Sequence, residues 1–258
     1  MISKLFSKGS VACLMVLLLL VIDQVIKIEV KTGMFLHESI RVTDWFYIYF
    51  IENEGMAYGM TFINKLVLTL FRILAVIIIG VYLFRQIRKH ARWGYVVCLS
   101  MLLAGAAGNI VDCLCYGEMF SASTNDTLAH FVPWGEGYGS VFYGKVVDMF
   151  YFPIIDTYLP DWLPIWGGDH FIFFSPIFNF ADSCISVSVV ALFLFFRREL
   201  GEISLFGSEE KKEESEETAE NAEGEETAEN AVSEVSEESV ESEVSVVNAE
   251  SEEKELQE

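Results

Sequence analysis

The sequence predicts an all-α polytopic membrane protein with four transmembrane helices, a small extracytoplasmic β-sheet and loop region, and a disordered acidic C-terminal tail. Three observations predict it. The first 198 residues hold four apolar stretches of near bilayer-spanning length, basic residues gather at alternate ends of those stretches, and the acidic residues concentrate at the C-terminus.

The 258 residues are 52% hydrophobic and 14% aromatic, yet their formal net charge is -21. That average mixes two materials. Residues 199–258 hold 23 Glu and 3 Lys, which leaves residues 1–198 at a net of -1. The chain therefore reads as a membrane domain, 1–198, and a cytoplasmic tail, 199–258. No aromatic follows Phe206, and the segment EETAENA at 216–222 recurs at 225–231. Such a tail has too little apolar surface to offset its ordering entropy, so disorder is expected. An acidic docking arm for a basic partner is the functional alternative.

The predicted spans are about residues 11–28, 66–84, 94–112 and 176–196. The first resembles a signal peptide in having Lys4 and Lys8 ahead of an apolar core, but no small-x-small cleavage site follows and DQVIK continues the helical pattern. It is read as an anchor. Cys13 after SVA has the look of a lipid-modification site, except that the apolar core follows the cysteine instead of preceding it. Lys4 and Lys8, then Arg85, Arg88, Lys89 and Arg92, then Arg197 and Arg198 place both termini in the cytoplasm by the positive-inside rule. Segments 29–65 and 113–175 then face outward. In the first, DWFYIYFIENEG (44–55) predicts a short sheet at the membrane surface. In the second, Tyr158, Trp162 and Trp166 recur every fourth residue and predict anchoring at headgroup level.

Cysteines add little. Cys98 and Cys184, like Cys13, fall within spans as small apolar fillers, and Cys113 and Cys115 are too close in sequence for an ordinary disulfide.

Polar residues inside apolar spans carry the functional signal, because an ionisable group in a bilayer is costly. Asp23 and Lys27 are four apart on one helix face, in the favourable order for an ion pair. Gly105, Gly108, Asn109 and Asp112 form one small and polar face of the third span, and Asn179, Asp182 and Ser186 one polar face of the fourth. Asp148, in GKVVDMFYF (144–152), stands among apolar neighbours in the outer segment that precedes the fourth span. Two carboxylates in a partly dry site hydrolyse peptides without a metal: one stays protonated, while the other takes a proton from the attacking water. By physics alone Asp112 and Asp148 are equally good members of such a pair. No HExxH is present and His37, His90, His130 and His170 are scattered, so no metal and no cofactor are expected. Rival readings are a small transporter or channel using intramembrane Asp residues, and a scaffold whose tail recruits a partner.

Five segments in this order, VIDQVIK (21–27), NEGMAYG (53–59), GNIVD (108–112), GKVVDMF (144–150) and FNFADS (178–183), resemble the lipoprotein signal peptidase (signal peptidase II) family. The resemblance covers residues 10–198. It implies a bacterial inner-membrane aspartic endopeptidase, sensitive to globomycin, that cuts prolipoproteins before a diacylglyceryl-modified cysteine near the outer face of the membrane. It also implies a monomer whose partners are substrate and membrane lipid, with no nucleic acid. The family's catalytic pair falls on Asp148 and Asp182. Its supporting residues fall on Asp23, Lys27, Asn53, Gly55, Ala57, Gly108, Asn109, Asp112 and Asn179. Two features depart from the common pattern: Cys113 stands where many members have Arg, and the long outer segment 113–175 resembles the version found in Bacteroidota.

Overall fold

In the computed structural model the described residues are 7–54 and 64–201; Gly55, Ala57 and nearly all of the acidic tail lie outside them. The chain folds as helix α1 (Lys8–Gly33), strands β1 (Ser39–Arg41) and β2 (Tyr47–Asn53), then helices α2 (Lys65–Arg88) and α3 (Trp93–Val111). Strands β3 (Val146–Tyr151), β4 (Ile155–Tyr158), β5 (His170–Phe173) and β6 (Ile177–Phe178) precede helix α4 (Phe180–Phe195).

Lys8–Gly33, Lys65–Arg88 and Trp93–Met119 are long and apolar enough to cross a membrane. The last combines α3 with its continuation through a π-helical turn, Asp112–Tyr116, to Met119. Capping fixes where these helices begin: Ser7 accepts from the Ser10 N–H at 3.1 Å and Asn64 from the Leu66 N–H at 2.9 Å. The apolar faces of α1 and α2 point outward, with Leu17, Val25, Phe71 and Ile77 all exposed. The charged side chains Asp23, Lys27 and Lys31 of α1 are buried. That inversion of the soluble pattern suits a hydrocarbon solvent.

The fourth apolar helix is shorter than expected from residues 176–196. Its 16 residues rise only about 24 Å. Pro176 and the pairing of β6 with β3, Ile177 opposite Tyr151 and Phe178 opposite Phe150, hold the chain extended until Asn179, which then caps the helix.

Strands β1-β2-β3-β6 form one antiparallel sheet, and β4-β5 form a separate hairpin. One register break shapes the main sheet: Ile48 pairs with Phe150 and Ile51 with Asp148, so Tyr49 and Phe50 both face Met149. Beyond this bulge Phe50, Val147 and Met149 turn into an apolar cluster with Met34, Tyr116 and Phe120. Asn53 and Asp148 share the opposite face of the sheet. A second apolar cluster at the other end of the bundle gathers Ala12, Leu83, Tyr95, Leu99, Leu192 and Phe196. Along both α1 and α3 a polar layer lies between the two clusters.

Glycines let the helices close around that layer. A Cβ on Gly108 would lie 2.6 Å from Asp23 Oδ2 and 3.3 Å from Ala181 Cβ, and one on Gly105 would strike the Ala181 carbonyl and Ile185. Helices α1, α3 and α4 thus meet without side-chain bulk where the polar groups sit.

Candidate functional site

Three routes of chain bring the polar layer together. Strand β3 carries Asp148, the β6–α4 junction carries Asn179 and Asp182, and α1 and α3 supply the groups behind them. Pairing of Phe178 with Phe150 sets Asn179 beside Asp148, two residues along β3. Asn179 then serves twice. As the N-cap of α4 its Oδ1 accepts from the Asp182 N–H at 2.9 Å, and its Nδ2 donates to Asp148 Oδ1 at 2.7 Å and to Asn109 Oδ1 at 3.1 Å.

The candidate carboxylates sit in different surroundings. Asp148 is 2% exposed and accepts from Asn179 and, at 3.1 Å through its second oxygen, from Asn53. Burial, then the nearby Asp182 charge, raise its pKa to about 7; the Asn53 and Asn179 hydrogen bonds act in the opposite direction. Asp182 is half-buried and lies in the first turn of α4, where the helix dipole favours a negative charge. Its Oδ1 accepts from Asn109 Nδ2 at 2.7 Å.

Behind this pair lies a charged network. Lys27 is fully buried and touches Asp23 at 3.0 Å, Asp112 at 2.8 Å and Asn109 Oδ1 at 2.8 Å. A lysine has three N–H donors, and these three contacts use them. Asp23 also accepts from the Ala181 N–H at 2.9 Å, fixing the first turn of α4, and Asp112 accepts from the Val147 N–H at 3.3 Å, fixing β3. Asp112 therefore ties structure on both sides and lies with Lys27, while Asp148 faces Asp182.

Of the residues singled out in the sequence, Asp23, Lys27, Asn53, Gly108, Asn109, Asp112, Asp148, Asn179 and Asp182 converge on this layer. Gly55 and Ala57 lie outside the described residues. Sequence reasoning missed Gln24, whose amide nitrogen Nε2 donates to Asp112 at 2.9 Å and Asp23 at 3.1 Å while its oxygen accepts from Tyr116 at 3.1 Å. It also missed Lys31 and Glu52, which pair at 2.5 Å with Ser123 bonded to both. Burial works against the Glu52 charge, yet Lys31, Ser123 and Lys145 outweigh it and hold the carboxyl below its usual range. The signal for Lys31 was present: residues 23, 27 and 31 repeat every fourth position on α1. Among the described residues no cluster of three or more His, Cys, Asp or Glu side chains is arranged to hold a metal ion.

The apolar helices and this buried polar layer define a polytopic membrane protein with two carboxyl groups, Asp148 and Asp182, in one layer. The family described as Signal peptidase (SPase) II matches residues 15–197. The lipoprotein signal peptidase of Porphyromonas gingivalis is 48% identical over 192 residues, covering 74% of this chain and 84% of the relative. That of Amoebophilus asiaticus is 34% identical over 189 residues, covering 69% and 74%. A solved bacterial membrane enzyme, 26% identical, aligns over 72% of this chain and 91% of its own with a TM-score of 0.47. The chain belongs to the signal peptidase II family; it is a bacterial integral membrane protease of lipoprotein processing. Family membership disfavours the transporter reading.

Proposed function

We propose that Asp148 and Asp182 are the catalytic pair with which this protease removes the signal peptide from prolipoproteins, before a diacylglyceryl-modified cysteine. The observation that carries the pair is the amide bridge between the two carboxyls: Asn179 donates to Asp148 and Asn109 donates to Asp182, while Asn179 also donates to Asn109. Asp148, the more buried, holds the shared proton. Asp182, in the first turn of α4 and partly open, takes a proton from water as it attacks the scissile carbonyl. Asp148 polarises that carbonyl, and the proton gained by Asp182 passes to the departing amine. The lipid on the substrate cysteine orients the bond by binding away from it. The positive-inside rule puts the termini in the cytoplasm and the pair near the outer face of the inner membrane, with α4 completing four spans.

The direct test is a cleavage assay with the purified full chain in detergent. A diacylglyceryl-modified prolipoprotein is cut, its unmodified precursor is not, and EDTA leaves the rate unchanged. Rapid cleavage of the unmodified precursor, or zinc-restorable loss in EDTA, would overturn the reading.

A pH dependence follows. Because Asp148 must keep its proton and its pKa is raised to about 7, kcat/KM falls as pH rises through about 7. Asn53→Leu removes a hydrogen bond that lowers this pKa, so the basic limb of the profile moves to higher pH. Rate profiles for the two proteins check it, and an unmoved limb counts against Asp148 as the acid.

The β4–β5 hairpin carries Trp162, Ile165 and Trp166 at its tip, 78%, 89% and 57% exposed, and we assign it to the headgroup level of the outer leaflet. In bilayers with brominated lipids, tryptophan emission is quenched, and the Trp162→Ser, Trp166→Ser variant loses most of the quenched component. Equal quenching in that variant would remove the hairpin from the membrane.

The acidic tail we read as cytoplasmic, because Arg197 and Arg198 close the fourth apolar stretch on the inner side. Truncation after residue 200 leaves in vitro cleavage unchanged, measured with the same substrate.

A further inference from the structure

At the end of the bundle away from Asp148 and Asp182, an apolar groove with a volume of about 390 Å³ opens between α1 and α2. Cys13 and Leu17 of α1, Gly80 and Phe84 of α2 and Leu103 of α3 line it. Its size falls within the range of small-molecule sites. A Cβ on Gly80 would meet only Leu103 Cδ1, at 3.8 Å, so the space continues over that glycine.

The rim of the groove is cationic. Arg88, in the last turn of α2, is exposed and forms no ion pair among the described residues. Arg88 lies 5.4 Å from the centre of the Phe84 ring, itself a wall of the groove. Two other cations near this end are already engaged: Lys8 donates to the His90 and Ala91 carbonyls, and Arg92 pairs with Glu199.

We propose that this groove binds one acyl chain of an anionic phospholipid, with Arg88 holding its phosphate. The lining offers dispersion contacts to a hydrocarbon chain and almost no polar partner, and the rim offers positive charge at the depth of the headgroup. Charge also decides against a signal peptide as the occupant. The leading end of such a peptide is basic, and Arg88 would repel it while attracting an anionic headgroup. The site is independent of the carboxylate pair, and cleavage on the same samples reports on the pair separately.

Cys13 provides the probe, because it is exposed in the groove while Cys98, Cys113 and Cys184 are buried and Cys115 half-buried. The full chain in detergent is treated with N-ethylmaleimide and followed by intact mass, with phosphatidylglycerol, phosphatidylcholine or glycerol phosphate added. Phosphatidylglycerol protects Cys13 at a concentration roughly tenfold lower than phosphatidylcholine does. Glycerol phosphate, with the charge but no chain, gives no protection. The Arg88→Gln variant loses most of the difference between the two lipids and retains cleavage. Gly80→Leu, which fills the groove, loses lipid-dependent protection; if that variant fails to fold, the lipid comparison on the unaltered chain and the arginine variant still decide. Equal protection by both lipids, no protection by either, or protection by a basic signal-peptide segment but not by phosphatidylglycerol overturns the proposal.

Discussion

Asp148→Asn and Asp182→Asn each reduce cleavage by about 10³-fold or more, while the protein inserts and unfolds at nearly its normal temperature. Asn preserves shape at both positions but cannot exchange a proton. At 182 it also keeps the oxygen that accepts from the Asn109 amide at 2.7 Å, so the start of α4 survives. At 148 one oxygen still accepts from Asn179 or Asn53. Asp112→Asn behaves differently. Its carboxylate holds Lys27, Gln24 and the Val147 N–H, so the loss appears in stability first and in rate only through the placement of β3. Single-turnover cleavage and thermal unfolding, measured side by side, separate the three variants. Near-normal turnover in either of the first two removes that residue from the pair, and a collapse of activity in Asp112→Asn at unchanged stability would restore Asp112 as a rival.

The four-residue spacing of Asp23 and Lys27 was enough to read an ion pair, because two positions one helical turn apart share a face wherever the helix packs. The sheet at residues 44–55 was legible for a similar reason: alternating aromatic and β-branched residues specify a strand locally, and Tyr47–Asn53 forms it. Choosing Asp148 over Asp112 required more than spacing. Their roles diverge through tertiary contacts, since Lys27 reaches Asp112 from α1 while the Phe150–Phe178 pairing draws Asn179 to Asp148 from another part of the chain. Gln24 carries no charge and sits in an apolar run, so nothing local distinguishes it from a solvent-facing amide. Glu52 gave no sign of its partner because Lys31 lies 21 residues away and meets it only after α1 ends and the chain doubles back. The late start of α4 was hidden because an apolar stretch does not record where β6 pairing competes with helix. Cys13 likewise read as filler, yet it lines an open groove.

In the proposed site Lys27 sets the orientation of an amide without contacting either carboxyl of the pair. A lysine can only donate, so its 2.8 Å contact forces Asn109 to turn its oxygen toward Lys27. The Asn109 amide nitrogen must then point the other way, toward Asp182, and the same oxygen accepts from Asn179. One buried charge thereby fixes the orientation of an amide that contacts one member of the pair and, through Asn179, is linked to the other. Lys27→Met keeps much of the volume but leaves Asp23 and Asp112 buried side by side without their cation. Breaking a buried pair in this way costs about 3 kcal/mol or more. The variant accordingly unfolds at a markedly lower temperature in detergent, and the remaining folded protein cleaves slowly because Asn109 is free to flip. Adding Asp23→Asn and Asp112→Asn to Lys27→Met removes the unpaired charges, so most of the thermal stability returns. Cleavage does not return with it, since no cation remains to hold the Asn109 oxygen. Thermal unfolding and single-turnover rates of the single and triple variants read the two effects apart: a triple variant that recovered both would make Lys27 a structural counter-ion alone, and a Lys27→Met variant as stable as the parent would remove the network as a source of stability.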